Sequence, residues 1–199
     1  MHSKLSPKPA KAPQADDLGR RIRQARKAQG LSLKDIADRT GLSIGFVSQV
    51  ERRLTTPSMA SLRGLAKALG LQVAELFHQA STASPNEADH IVRRNQRRVL
   101  DLESIGMHME IVTPREVKGV QAFAAYLRPG GISGQKFDSH HGQECGIIID
   151  GQLELWLGSE KHLLNAGDAF SFNSRTPHRY RNPGPTMTYV HWIIAPAIY

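Results

Sequence analysis

From Asp17 to Phe77, apolar or small residues return every three or four positions: Leu18, Ile22 and Ala25; Ile36, Ala37 and Thr40; Val47 and Val50; Leu62, Leu65 and Leu69. Residues at that spacing share one face of a helix, so the pattern predicts helices that each bury a single stripe. Breaks at Gly30, Gly41 and Leu54 to Thr56 divide the segment, and five short helices fit within it. The starts are marked as well. Ser32 with Asp35 makes a capping-box pair, Ser43 caps the next helix, and Thr56 with Pro57 places a cap before a first-turn proline.

Beyond this segment the period falls to two. Leu153, Leu155 and Leu157 alternate with Gln152, Glu154 and Trp156, which predicts strands. Turn signals at Pro129-Gly130-Gly131, Asp150-Gly151, Asn165-Ala166-Gly167 and Asn182-Pro183-Gly184 separate the apolar runs VQAFAAYL, CGIII, AFSF and MTYVHWII. Many short strands at such intervals imply a closed sandwich or barrel. Two stretches have neither period. Residues 1 to 15, with Pro7, Pro9 and Pro13, are expected to be a flexible basic arm, and residues 78 to 90, HQASTASPNEADH, a linker. The expected organisation is therefore a helical domain over 16–77 and a β domain over 91–199.

Charge sharpens this division. Through His78 the chain carries 14 Lys and Arg against 6 Asp and Glu, and beyond it 12 against 12, so the whole excess of +8 belongs to the helical half. A cationic module gains affinity for polyanions by releasing phosphate counterions, which points the first half at nucleic acid and leaves the second for another task. No apolar run approaches the roughly eighteen residues of a membrane span. The opening MHSKLSPKPAKAPQADD has no apolar stretch either, so neither secretory signal nor membrane anchor is expected, and the cytoplasm is the expected compartment. With Cys145 as the one cysteine, any metal chemistry must use histidines and carboxylates.

In SLKDIADRTGLSIGFVSQVERR, Ala37 allows close helix contact, Gly41 permits a sharp turn, and Val47 and Val50 bury the second helix on the first. With Glu51 and Thr56-Pro57-Ser58 following, the segment from Leu18 to Phe77 resembles the helix-turn-helix of the Cro and phage-repressor type, the XRE family. The resemblance implies that a recognition helix over residues 43–52 enters the major groove of double-stranded DNA. Ser43, Ile44, Gly45, Ser48 and Gln49 then become candidates for base edges, since Val47 and Val50 face inward. Gln49 is the sharpest, because its amide pairs bidentately with adenine, whereas Ile44 offers only contact with a thymine methyl. Arg52 and Arg53 are assigned to phosphate, as are Ser32 and Lys34 at the start of the preceding helix, where free N–H groups face an anion. Arg20, Arg21 and Arg23 are expected to form a solvated face.

In QKFDSHHGQECGIIIDG, Asp138 and His140 lie two apart, which on a strand is one shared face, and Glu144 follows four later; GDAFSFNSRTPHRYRN then supplies Gly167-Asp168, Pro177-His178 and Asn182. These stretches resemble the two motifs of the cupin superfamily, over residues 91–195, and imply an all-β jelly roll. The family's two histidines, glutamate and second-motif histidine map to Asp138, His140, Glu144 and His178, with Asp where a histidine is usual. The set implies one divalent metal ion, Zn, Fe, Mn or Ni, with the extra carboxylate favouring harder ions. Without metal, the same residues would form an effector pocket. His141 should face outward, and His191 should be structural. Tyr126, Phe137, Phe172, Tyr180 and Trp192 are candidate pocket lining or core. Arg128, Arg175 and Arg179 are candidate anion holders or a solvated rim, and Cys145 is a small buried residue or a redox-sensitive thiol.

Both halves in this order resemble the XRE-cupin regulators. The resemblance implies a sequence-specific transcriptional regulator that binds a DNA operator as a homodimer, senses a small-molecule effector in its cupin domain and is not an enzyme. The competing reading is a metal-dependent cupin enzyme, of dioxygenase or isomerase type, tethered to DNA; a third is constitutive DNA architecture with the barrel as a dimer clamp.

Overall fold

The structure, a computed structural model, describes residues 18–77, 90–114, 117 and 119–196. The expected arm over 1–15, and the expected linker except His90, lie outside the described residues.

Four α-helices build the first half: α1 Leu18–Ala28, α2 Leu33–Thr40, α3 Ile44–Glu51 and α4 Met59–Ala68. The predicted stripes become a single core of Ile22, Ile36, Val47, Val50, Leu62, Leu65 and Leu69. The α2 start is a capping box: the Ser32 hydroxyl accepts from the Asp35 amide, and the Asp35 carboxylate accepts from the Ser32 amide at 2.7 Å. Its end is Gly41, at φ 69°, a left-handed turn that glycine adopts without the steric cost of a Cβ. Ser43 caps α3 by accepting from the Phe46 amide.

Two expectations need correction here. The fifth helix is a 3-10 turn, Val73–Leu76, because the few residues after Gly70 close too few hydrogen bonds to offset helix nucleation. The α4 cap is Ser58, whose hydroxyl accepts from the Ser61 amide, so Pro57 precedes the cap instead of following it.

Two contacts between α1 and α3 escaped the periodicity argument. Gly19 lies so close to the end of α3 that an added Cβ would meet the Val50 carbonyl oxygen at 2.4 Å. Arg26, near the end of α1, makes a buried fork with Glu51, with Nε–Oε1 at 2.6 Å and Nη2–Oε2 at 2.8 Å.

The second half is two antiparallel sheets. The larger has the order β1 (Arg98–Leu102), β2 (Met107–Ile111), β3 (Gln121–Leu127), β9 (Thr188–Ala195), β4 (Gln143–Asp150) and β7 (Ala169–Asn173); the smaller has β6 (Glu160–Asn165), β5 (Gln152–Leu157) and β8 (His178–Arg181). Met107, Met109, Phe123, Ala125, Val190, Trp192 and Ile194 line the inner face of the large sheet, opposite Leu153 and Leu155. All four predicted turns join or flank strands, and Asn182 staples its own turn by donating to the Leu127 and Thr186 carbonyls. No helix among the described residues is long and apolar enough to cross a membrane.

Candidate functional site

The α3 helix carries the residues expected to meet bases. Val47 and Val50 are buried in the helical core, while Ser43, Ile44, Gly45 and Gln49 are exposed and Ser48 is half-buried. These five occupy one outward face because the valines fix the helix's rotation about its own axis. Arg52 is the C-cap residue, Arg53 follows it in a left-handed conformation at φ 64°, and both are exposed at the helix end. Lys34 is exposed beside Asp38, with Nζ 2.7 Å from its carboxylate, a pair that solvent screens. The capping box takes two of the N–H groups at the α2 start, Ser32 and Asp35. What remains there for an anion is fewer donors than the bare helix end suggested.

The second cluster sits inside the β sandwich. Donor atoms of Asp138, His140 and His178 all lie within 4.8 Å of one another. Asp138 and His140 are not on a regular strand as expected. They belong to an irregular segment before β4, held by backbone pairing: Asp138 and His178 exchange hydrogen bonds at 2.7 and 2.8 Å, and the His140 amide donates to the Ser174 carbonyl. Their common face therefore comes from this docking onto the second motif. Glu144, on β4, faces inward beside them.

The imidazoles are oriented from behind. His178 Nδ1 lies 2.9 Å from the Thr176 carbonyl and His140 Nδ1 3.1 Å from the His141 carbonyl, so in each ring Nδ1 carries the proton. Each Nε2 then faces Glu144 Oε1, at 2.8 Å from His140 and 3.4 Å from His178. Oε1 is buried without a well-angled hydrogen bond, whereas Oε2 accepts from the Trp192 indole at 2.7 Å. Imidazole nitrogens converging on a carboxylate oxygen need a positive charge among them, carried by a proton or by a metal cation. Two imidazoles and two carboxylates in a closed site thus fit a divalent ion.

Burial pushes the His178 pKa down, aided by the nearby charges of His140 and Arg63, against the Glu144 carboxylate and the Thr176 carbonyl. Burial alone would raise Glu144; the hydrogen-bonding proximity of His140, the charges of His178 and His140, and the Trp192 N–H together hold it below the ordinary carboxylate range.

Asp138 also forms an ion pair with Arg63, a residue of α4. The cavity around the cluster measures about 20 Å³ and is lined by Met59, Phe123, Tyr180 and Trp192, among others.

Comparison with known proteins follows the same division of the chain. A helix-turn-helix family model matches residues 22–76, and a cupin-domain family model matches residues 125–194. The chain is 28% identical over 166 residues to the HTH-type transcriptional regulator PuuR of Escherichia coli, covering 82% of this chain and 86% of that one. It is 31% identical over 105 residues to the uncharacterized HTH-type transcriptional regulator Rv0474 of Mycobacterium tuberculosis, covering 48% of this chain and 75% of that one. The protein belongs to the XRE family of helix-turn-helix transcriptional regulators, in its cupin-bearing form.

The fold of this XRE-cupin regulator is that of a crystallised HTH_3 family transcriptional regulator from Vibrio cholerae, with a TM-score of 0.62 at 22% identity, covering 91% of this chain and 96% of that one. Of the residues with lesser expectations, Tyr180 and Trp192 line the regulator's cavity, and Phe172 packs 5.0 Å from the His178 ring. Tyr126 does not line it. It points to the other face of the large sheet, stacked on Tyr189 at 4.6 Å, because residues at even positions of β3 face outward. His191 shares that face, with Nε2 2.5 Å from the Tyr189 hydroxyl. Cys145 is half-buried there, on the face opposite Glu144. Phe137 is 41% exposed under the Arg179 guanidinium, and Arg179 also covers Trp156 on the outside of the small sheet. Arg128 and Arg175 stand apart from the cluster. Arg128 lies by Glu103 at 3.7 Å, and the Arg175 carbonyl accepts from the Ser139 hydroxyl.

Sequence reasoning missed Arg63 and Met59 entirely. Their place in the cavity depends on how one half docks on the other, and no local pattern encodes that.

Proposed function

We propose that this regulator reads an operator through Ser43, Ile44, Gly45, Ser48 and Gln49, holds the flanking phosphates with Arg52, Arg53, Lys34 and Ser32, and senses an effector in the barrel. The observation that carries the DNA assignment is the outward face of α3: valines set the helix's rotation, and what they leave exposed is a short polar row with one amide and a pair of arginines at its end. An amide of that reach suits adenine, and arginines suit phosphate. In the cavity, Asp138, His140 and His178 would hold a divalent ion with Glu144 completing the set; bound there, the ion would supply a Lewis-acidic centre for a ligand's oxygen or nitrogen.

One recognition helix contacts too few bases for selectivity across a genome, so the working form is a homodimer reading half-sites about 10 base pairs apart. Ile147, Ile149 and Ile193, exposed on the outer face of the large sheet, are an apolar strip that such a dimer would cover. A regulator with its partner DNA in the cytoplasm needs no turnover, and its curated relatives carry regulator names. The test is selection of duplexes from a random library by the wild-type protein and by Gln49→Ala. Enrichment of a twofold motif by the wild type, with one position per half-site relaxed in the variant, supports the reading. Identical enrichment by both removes Gln49 from the readout.

The enzyme reading retains one point in its favour, the convergence of two histidines with a carboxylate on one small cavity. Turnover of a candidate substrate that His178→Ala abolishes would favour it.

A further inference from the structure

We infer that α4 of the DNA-binding half is the lid of the cupin cavity, and that Arg63 and a divalent cation compete for Asp138. The inference rests on the reading of that cavity as a cation site. Met59 and Arg63 are four residues apart, on one face of α4, and both turn toward the barrel. Met59 is 3% exposed and lines the cavity together with Glu144, His178 and Trp192. Arg63 delivers a guanidinium to Asp138, the carboxylate grouped with His140 and His178. The Met59 amide donates to the Ser133 carbonyl at 3.0 Å, and Gly134 packs so tightly on the α4 cap that an added Cβ would meet Ser58 Cβ at 2.7 Å. Three successive contacts thus seat the N-terminal half of α4 on the segment that carries the first cupin motif.

The consequence is a direct link between cavity and DNA-reading face. A space of about 20 Å³ admits one ion or water, so a larger guest enters only if Met59 leaves. A divalent cation on Asp138 brings its charge up against the guanidinium that Asp138 holds in a buried site, and that like-charge repulsion weakens the Arg63 contact. Because α4 shares the core of Ile36, Val47 and Leu62 with α2 and α3, its release moves the recognition helix as part of one body. Linkage makes the effect reciprocal: DNA that favours either arrangement changes cation affinity by the same factor.

Nickel alone, titrated calorimetrically into the full-length protein, tests this together with amide hydrogen exchange. The Met59 N–H stands in the first turn of α4, where no acceptor exists within the helix, so its protection reports docking on Ser133. In wild type, nickel should accelerate exchange at Met59. If the undocked form is about 10% of molecules or less, Arg63→Ala should bind nickel roughly tenfold more tightly or better, since apparent affinity scales with the competent fraction. Arg63→Lys, which keeps a cation by Asp138, should remain nearer wild type, and His178→Asn should abolish the nickel effect on exchange. Equal nickel affinity in wild type and Arg63→Ala, with Met59 protection unchanged, overturns the lid while leaving the cation site intact. No nickel binding by any of these proteins overturns both. Should Arg63→Ala not fold, exchange at Met59 in wild type decides alone.

Discussion

The two halves each bury a carboxylate against cationic or basic partners, and they do so in opposite ways. In the helical half, Glu51 receives a two-pronged guanidinium from Arg26, whose remaining nitrogen donates to the Leu31 carbonyl at 2.7 Å. Each carboxylate oxygen has its own donor, and the pair bolts α1 to the end of α3. In the β half, Glu144 is equally buried, yet one of its oxygens faces two imidazole nitrogens and makes no well-angled hydrogen bond with either. The first arrangement is complete in the protein alone; the second is one that a cation, as proposed, would complete. Buried charge with a donor on each oxygen reads as structure, and buried charge on which several titratable groups converge reads as a candidate ligand site.

The contrast gives graded ways to break it. Glu51→Ala should cost about 3 to 5 kcal/mol, because it strands a buried guanidinium, and urea unfolding measures it directly. A loss below about 1 kcal/mol would mean that Arg26 reaches solvent instead. His178→Asn should lower divalent-ion affinity by more than the roughly 10- to 100-fold typical of outer-shell losses while leaving the unfolding midpoint nearly unchanged. Calorimetric titration and thermal melts, run on the same preparation, separate the two. Gln49→Ala should weaken operator binding by about 1 to 3 kcal/mol, and Arg52→Ala should reduce the salt slope by roughly one counterion without altering base preference.

The smallest expected effect concerns a third buried cluster, on the outer face of the large sheet. Burial opposes protonation of His108, but the Asp101 and Glu110 carboxylates outweigh it and raise its pKa from 6.5 to about 8. A raised folded value favours the folded state fully below pH 6.5 and loses that contribution as pH climbs through about 8. Melting temperature should fall across that interval in wild type and be flatter in His108→Asn.

The helical half was legible in the sequence because its signals are local. The 3.6-residue stripe, Ser32 with Asp35, Gly41 and the inward valines each act within a few residues, and each reappears as a cap, a turn or a core position. The fifth helix failed since periodicity carries no information on whether a short segment can offset nucleation. Among strands, those bounded by glycine turns stood out. β1 and β2 were passed over, although Met107, Met109 and Ile111 do alternate with His108 and Glu110 in β2, because the 3-10 turn Glu103–Ile105 joins them in place of one of the turn signals read elsewhere. Asp138, His140, Glu144 and His178 were singled out by the resemblance to the two cupin motifs, although the supposed strand under Asp138 and His140 is an irregular segment pinned by the second motif. Arg63 stayed hidden, as its partner lies 75 positions further along the chain and only tertiary docking unites them.

Gly19 makes the angle of the reading head a property of its rear support. The backbones of α1 and α3 touch there with no side chain between them, so even a methyl group would lever the α3 terminus outward and swing Arg52 and Arg53 away from their present stance. Variants selected for altered operator spacing should therefore include changes at a position that never approaches a nucleotide.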